Sequence, residues 1–262
     1  MPHIALVFAV MSAVALADDE PPAWVEPMRE VHERFTGTSG TLALFGDSIS
    51  VSMAFWAPLQ GELPDATPDL NAALQQIKSR QRDECWHDWR GPEFGNEGGM
   101  TIRWADENVD AWLERLNPEV AVVMFGTNDL TQLEAEEYEQ TTRHVVQRCL
   151  DHGTVVILTT IPPRSGLDDK SAQFADVVRE IARDLHVPLV DYHAEVLARR
   201  PDDWDGTLPQ FRAAVETGGE YEVPTLISGD GVHPSNPSVH QDYSEESLNH
   251  NGFALRSYLT AL

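Results

Sequence analysis

Four short segments of almost entirely apolar, β-prone residues recur along the chain, with helical patterns between them. A strand that helices cover on both faces is expected to be apolar at nearly every position. Strands that alternate with helices pair in parallel, because parallel neighbours need a long crossover connection. The sequence therefore predicts an α/β fold, a three-layer α/β/α sandwich with a largely parallel central sheet. The predicted strands are Thr41–Phe45, Val120–Phe125, Val155–Thr160 and Pro188–Asp191.

Helical periodicity fills the intervals between these strands. The predicted helices span Leu70–Arg80, Ala105–Leu116, Glu134–Leu150, Ser171–Leu185 and Glu245–Leu259. Open parallel sheets bind their ligands beyond the carboxyl ends of the strands. Each polar residue that directly follows a predicted strand is therefore a candidate site residue.

The first 17 residues carry no Asp, Glu, Lys or Arg and end in Ala15-Leu16-Ala17, directly before an acidic run. An apolar stretch that closes on a small-x-small triplet is typical of a secretory signal peptide. A buried N-terminal helix is the alternative, since His3 and the amino group are the only cationic groups there. We expect residues 18–262 to form a single secreted or periplasmic catalytic domain, with insertions near 56–94, 200–228 and 236–251.

The formal net charge is −25, from 43 acidic and 18 basic residues. A field of this sign repels phosphate backbones, which argues against a nucleic-acid partner. No segment reaches the roughly 18 apolar residues that a membrane span needs, so stable membrane insertion is not expected. Cys85 and Cys149 are the two cysteines. They form a disulfide bridge in an oxidising compartment, or Cys149 is a small buried hydrophobe in its helix.

One serine directly follows the first predicted strand, in Phe45-Gly46-Asp47-Ser48-Ile49. Gly46 allows a tight turn, so Ser48 opens the next helix at the carboxyl edge of the sheet. A helix N-terminus there favours developing negative charge. By itself Gly-Asp-Ser is a weak motif, because an Asp or Ser before a helix is first of all a cap.

Two further polar blocks are candidates for the same edge. Asn128 lies in Gly126-Thr127-Asn128-Asp129, after the second strand, where its amide donates into the crevice or only caps a turn. Asp230 and His233 lie three residues apart near the C-terminus. A serine nucleophile needs a base, and that base needs an acceptor to orient it, which is the pair that this spacing offers.

The chain resembles the SGNH (GDSL-like) hydrolases, because their four signature blocks occur here in the family's order. The chain departs from the family pattern in two places. The glycine block is shortened, so Gly98 is the alternative oxyanion donor to Gly99. The Gly252-Phe253 helix start is delayed by an insertion over 236–251. The matching blocks are Gly46-Asp47-Ser48, Gly99-Met100-Thr101, Gly126-Thr127-Asn128-Asp129 and Asp230-Gly231-Val232-His233.

The resemblance implies a serine esterase. Ser48 is then the nucleophile, His233 its general base and Asp230 the residue that orients the base. The oxyanion hole is made by the backbone N–H groups of Ser48 and Gly99 and the side chain of Asn128. The chemistry needs neither a metal nor any other cofactor.

The substrate expected from the resemblance is an ester, and we favour the removal of O-acetyl groups from a carbohydrate. Export and aromatic residues in the insertions favour a glycan, since aromatic faces stack on sugar rings, and Trp86, Trp89 and Trp204 are the predicted substrate-binding residues. A lipase or thioesterase of the same fold is one alternative. A non-catalytic glycan-binding module on a hydrolase scaffold is the other.

Overall fold

The computed structural model describes residues 21–237 and 242–262. The predicted signal peptide lies outside these residues, as does part of the predicted insertion over 236–251. The strands are β1 (Leu42–Gly46), β2 (Val120–Met124), β3 (Val155–Thr159) and β4 (Leu189–Val190). The helices are α1 (Val25–His32), α2 (Ser48–Val51), α3 (Pro68–Lys78), α4 (Glu84–His87), α5 (Ile102–Leu116), α6 (Ala135–His152), α7 (Asp168–Leu185), α8 (Tyr192–Arg199), α9 (Arg212–Gly218) and α10 (Gly252–Ala261).

The strands form one parallel sheet in the order β1-β2-β3-β4. Leu42 pairs with Val120, Val120 with Val155, and Leu158 with Leu189. All four predicted strands are therefore present, and the predicted α/β class with a parallel sheet is confirmed. Helices α5, α6 and α7 pack side by side, while α10 packs with α3 and α8. Within the described residues no helix is long and apolar enough to cross a membrane.

The helix predictions hold for the chain's middle and fail at its end. Helices α5, α6 and α7 each coincide with a predicted helix to within three residues at either end. The last helix was predicted from Glu245, but α10 begins at Gly252, where the side chain of Asn251 accepts a hydrogen bond from Ala254 N–H at 2.9 Å. This Asn cap sets the start of the helix, as side-chain acceptors at helix N-termini commonly do.

The two cysteines are free thiols, and both are buried. Burial raises the pKa of Cys85 to about 11 and that of Cys149 to about 12. Cys149 lies on the buried side of α6, and the Cys85 sulfur accepts a hydrogen bond from Leu42 N–H at 3.3 Å. Of the two readings that the sequence left open, the structure shows the buried thiols and no bridge.

Candidate active site

A sharp turn carries the chain from β1 into α2 and puts Ser48 at the first position of that helix. A Cβ atom on Gly46 would lie 2.1 Å from Ser50 Oγ and 2.6 Å from the Met124 carbonyl oxygen, so only glycine allows this turn. The side chain of Asp47 caps α2 by accepting a hydrogen bond from Ile49 N–H at 3.0 Å. Ser48 is therefore held at the carboxyl edge of the sheet, as its position after β1 predicts.

His233 comes from the segment before α10 and reaches the same edge. Its Nε2 lies 2.9 Å from Ser48 Oγ, and its Nδ1 lies 2.6 Å from Asp230 Oδ2. With the proton on Nδ1 donated to the carboxylate, Nε2 is left as the acceptor for the serine hydroxyl. Residues 185 positions apart in the sequence thus meet in one hydrogen-bonded chain.

The Asp230 carboxylate is fixed by the turn that it belongs to. Its Oδ1 accepts hydrogen bonds from Ser228 Oγ at 2.6 Å, Val232 N–H at 2.8 Å and His233 N–H at 2.9 Å. The three bonds leave Oδ2 for the imidazole. Side chains held by several such bonds keep a catalytic group in its working orientation, and Ser228 is a member of this arrangement that its sequence position did not reveal.

Despite the predicted insertion, Gly252 and Phe253 return to the segment that follows His233. Phe253 N–H donates to the Ser235 carbonyl oxygen at 3.1 Å, and Gly252 N–H donates to Ser235 Oγ at 3.0 Å. The start of α10 is therefore hydrogen-bonded to Ser235, two residues beyond His233.

The Asn128 side chain does not cap the turn that follows it. The side chain makes no capping hydrogen bond to the 3₁₀ turn Asp129–Thr131. Instead Nδ2 donates to the Met100 carbonyl oxygen at 2.9 Å and, more weakly, to Asp47 Oδ2 at 3.3 Å. A hydrogen bond as long as the second one is readily exchanged for a stronger acceptor.

Of the two glycines proposed as oxyanion donors, Gly98 faces the nucleophile more closely. A Cβ atom on Gly98 would lie 3.9 Å from Ser48 Cβ, whereas one on Gly99 would contact nothing within 4 Å. Gly99 has a φ of +79°, a left-handed conformation that favours glycine. Gly98 therefore lies beside Ser48, and Gly99 makes the turn that follows it.

The chain matches the GDSL-like lipase/acylhydrolase family over residues 44–237. The match covers about three quarters of the chain and includes the three polar blocks whose geometry is described above. The chain belongs to this family. It is therefore an ester-hydrolysing enzyme of the SGNH type.

Solved structures of esterases resemble this GDSL-like enzyme. A catalytic mutant of Axe2, an acetylxylan esterase from Geobacillus stearothermophilus, is 18% identical over 82% of this chain and 94% of that chain, with a TM-score of 0.48. A mutant of the esterase AlinE4 is 20% identical over 64% of this chain and 83% of that chain, with a TM-score of 0.44. The acetyl xylan esterase AlAXEase is 19% identical over 61% and 81%, with a TM-score of 0.44. A comparison with curated proteins found no match.

In the GDSL-like enzyme the charges of Asp230 and His233 stabilise each other. Burial raises the pKa of Asp230, but the hydrogen bonds from His233 and Ser228 outweigh it and hold that pKa well below its usual range. The hydrogen bond to Asp230 raises the pKa of His233 above its usual value, against the opposing effect of burial. The imidazolium that forms when a base takes up a proton is thus stabilised in place.

Two further carboxyl groups, those of Asp47 and Asp129, are buried. The mechanism implied by the family resemblance assigns no role to either. Burial raises the pKa of Asp47 to about 6 and that of Asp129 to about 7, and the charge of Asp47 adds to the second shift. Asp129 Oδ1 accepts a hydrogen bond from Ile102 N–H at 2.9 Å. Two like charges in a dry site disfavour each other, so both carboxyl groups ionise less readily than exposed ones.

A cavity of about 290 Å³ opens in front of the serine. Sequence reasoning did not assign its other walls, because they come from loops and from α10 rather than from strand ends. Tyr221 contributes an exposed aromatic side chain, 39% accessible, whose ring centre is 6.0 Å from that of His233. The lining residues are Ser48, Ser52, Tyr221, His233, Asn236 and Phe253.

The predicted platform of tryptophans is wrong for Trp86 and Trp204. Trp86 is only 2% exposed because it stacks on Trp56, with ring centres 5.7 Å apart, and Trp204 is 8% exposed. Trp89 is half-buried and stacks on Phe94, and none of the three tryptophans lines the cavity at Ser48. A buried indole has no free face for a sugar ring, so Trp86 and Trp204 belong to the core.

Asn128→Ala is expected to lower kcat about 10²- to 10³-fold and leave KM within a few-fold, as for loss of an oxyanion donor. The donated hydrogen bond gains its full strength only when the carbonyl oxygen becomes an oxyanion. Steady-state kinetics measure kcat and KM, and the thermal midpoint of the same preparation measures stability. Asn117→Ala, which removes the residue ending α5, is the matched control and should lower stability with kcat unchanged. A normal kcat in Asn128→Ala would show that Asn128 does not stabilise the oxyanion.

Proposed function

We propose that this enzyme hydrolyses esters through an acyl-enzyme on Ser48 and removes small acyl groups, acetyl above all, from a carbohydrate. The observation that carries the proposal is the pair of hydrogen bonds that joins Ser48 to His233 at 2.9 Å and His233 to Asp230 at 2.6 Å. A serine hydroxyl on a neutral imidazole that a carboxylate orients is the arrangement that makes serine nucleophilic.

In the first half of the reaction, His233 Nε2 takes the proton from Ser48 Oγ as that oxygen attacks the ester carbonyl carbon. The carbonyl oxygen becomes an oxyanion beside the Ser48 N–H, the glycine turn at residues 98–99 and the Asn128 amide. Stabilisation of this charge is usually the largest single contribution that such sites make to lowering the activation barrier. The tetrahedral intermediate then expels the alcohol, which takes the proton from His233, and leaves the acyl group on Ser48.

In the second half, water replaces the alcohol. His233 removes a proton from the water as its oxygen attacks the acyl carbon, and the second tetrahedral intermediate expels Ser48 Oγ. The serine recovers its proton from His233, and the free carboxylic acid leaves. Asp230 stays ionised throughout, because its hydrogen bonds keep its pKa low, and it stabilises the imidazolium in both halves.

The size of the cavity supports a small acyl group. Its volume of about 290 Å³ lies at the lower end of the range for small-molecule sites, roughly 300–1,000 Å³, and part of it must admit the alcohol. Phe253 and Ser52 close it on the side of α2 and α10. A long acyl chain has no matching apolar channel among these lining residues.

The carbohydrate part of the proposal is supported by Tyr221 and by charge. Tyr221 offers an accessible ring at the mouth of the cavity, and an aromatic ring presents an apolar body with a polar tip that suits a sugar. The net charge of −25 disfavours anionic substrates. The predicted signal peptide over residues 1–17 supports action after export, in a secreted or periplasmic location.

The test is acetate release from a panel of acetylated polysaccharides, run beside p-nitrophenyl esters of increasing acyl length. We expect acetate release that Ser48→Ala abolishes. We also expect kcat/KM for the acetyl ester to exceed that for the decanoyl ester by about 10²-fold, since a pocket rejects groups that it cannot contain. Equal or better turnover of the decanoyl ester would contradict the acyl part of the proposal.

Tyr221→Ala provides the control for the carbohydrate part. Its KM should rise several-fold for an acetylated oligosaccharide and stay unchanged for ethyl acetate, which has no ring to stack. Tyr221→Phe retains the ring and should keep KM for the oligosaccharide within about twofold. An unchanged oligosaccharide KM in Tyr221→Ala would contradict the stacking role.

A further inference from the structure

A completely buried cationic side chain contacts the helix that carries the nucleophile. Arg256 lies in the middle of α10 and is 0% exposed, the largest of the fully buried side chains among the described residues. Arginine is almost never fully buried unless something holds its charge. The groups that contact the Arg256 guanidinium therefore indicate the role of this residue.

The contacts of Arg256 converge on the short helix that carries Ser48. Nη1 donates to the Ile49 carbonyl oxygen at 2.8 Å, and Nη2 donates to Ser50 Oγ at 3.0 Å. The guanidinium carbon lies 3.6 Å from the centre of the Phe55 ring. Among the described residues Arg256 Nε has no hydrogen-bond partner. Within the described part of the chain, both hydrogen bonds of the guanidinium thus go to α2.

The electrostatic setting makes this burial costly. Desolvation lowers the pKa of Arg256 to about 9, and the through-space attraction of Asp47 only partly opposes it. Arg90 brings a second, half-buried guanidinium to the same region, donating to the carbonyl oxygens of Ser50 and Phe55. Buried charges of this kind often add little stability compared with apolar side chains of similar size. The benefit of burying Arg256 is therefore expected to lie in the groups that it holds in place rather than in stability.

Helix α2 needs such support because it has only four residues. A single helical turn is not stable by itself, and its terminal carbonyl groups lack partners within the helix. Cations near a helix C-terminus are favourable, since the backbone dipoles gather negative charge there. Arg256 supplies both a donor and a positive charge at that end, and it does not line the cavity in front of Ser48.

We propose that Arg256 is a positioning residue for ester hydrolysis: its hydrogen bonds hold α2 so that Ser48 Oγ stays in line with His233 Nε2. The inference rests on Ser48 being the nucleophile, as in the proposed function. Arg256 does not touch substrate, so its loss should disturb alignment and leave substrate binding intact. A displacement of about 1 Å at a reacting atom is enough to cost up to 10²-fold in rate.

The test compares Arg256→Met, which keeps the length of the side chain but no donor, with Arg256→Lys and Ser50→Ala. We measure kcat and KM on p-nitrophenyl acetate, the rate at which a fluorophosphonate labels Ser48, and the thermal midpoint. Arg256→Met should lower kcat and the labelling rate about 10- to 100-fold with KM within about threefold. Arg256→Lys should recover part of the loss, because an ammonium can still donate to one of the two acceptors. Ser50→Ala should lose less than Arg256→Met.

Leu255→Ala is the matched control, since Leu255 is equally buried in α10 but has no donor for α2. It should lower the thermal midpoint with kcat within about twofold of the wild type. A folded Arg256→Met with wild-type kcat and labelling rate, or one with only KM raised, would overturn the proposal.

If Arg256→Met does not fold, the other two variants decide. Wild-type kcat and labelling rates in both Arg256→Lys and Ser50→Ala would then overturn the positioning role of Arg256. Labelling of the wild type at a residue other than Ser48 would overturn the proposed function, and with it this inference.

Discussion

Ser48→Ala and His233→Ala are each expected to lower kcat by about 10⁴- to 10⁶-fold, and the double variant should be scarcely worse than either single one. The structure places Ser48 Oγ 2.9 Å from His233 Nε2, so the hydroxyl and the base act as one unit. Without the base the hydroxyl stays protonated, and without the hydroxyl the base has nothing to activate except water. Initial rates on p-nitrophenyl acetate at high enzyme concentration measure losses of this size.

Ser171→Ala is the control for this prediction. It removes another buried serine hydroxyl, one that donates to the Asp168 carbonyl oxygen, accepts from Arg164 N–H and does not line the cavity at Ser48. It should reduce stability and leave kcat unchanged. Turnover by Ser48→Ala within tenfold of the wild type would mean that another group attacks the ester.

The strand-end residues of the site could be predicted from the sequence because the topology dictates where they meet. Ser48 and Asn128 follow β1 and β2, which pair in parallel, so their positions at one edge of the sheet follow from the strand assignment alone. Asp230 and His233 are close in sequence, and their mutual orientation is set locally by the turn between them. That His233 reaches Ser48 required the family resemblance, since no local pattern links residues 185 positions apart.

The residues that sequence reasoning missed depend on packing over long separations. Arg256 meets Ile49 from 207 positions away, and in the sequence it stands out only as the one charged residue of α10. The tryptophans were misjudged for the same reason. Their place in aromatic-rich insertions says nothing about which faces neighbours cover, and Trp86 is hidden by Trp56. Tyr221, from another such segment, remains exposed at the cavity.

Asp230→Asn is expected to lower kcat about 10⁴-fold and to move the pH dependence of the remaining activity. In the wild type the hydrogen bond to Asp230 raises the pKa of His233 above its usual value of about 6.5. Only neutral His233 accepts the serine proton. The wild-type kcat/KM should therefore rise with pH and reach half its limit above pH 6.5.

An amide at position 230 carries no charge to stabilise the imidazolium, so the pKa of His233 falls and the midpoint of kcat/KM moves to lower pH. The amide can also donate to Nδ1, which favours the tautomer with its proton on Nε2, and that tautomer cannot accept from Ser48 Oγ. Asp191→Asn is the matched control, because Asp191 is a carboxylate held by Arg179 at the start of α8, away from His233. It should leave both kcat and the midpoint unchanged.

A large fall in kcat in Asp230→Asn with the midpoint fixed would mean that the acidic limb of the pH profile reports a group other than His233. The carboxyl group of Asp129 would then be the first to test, because burial raises its pKa to about 7.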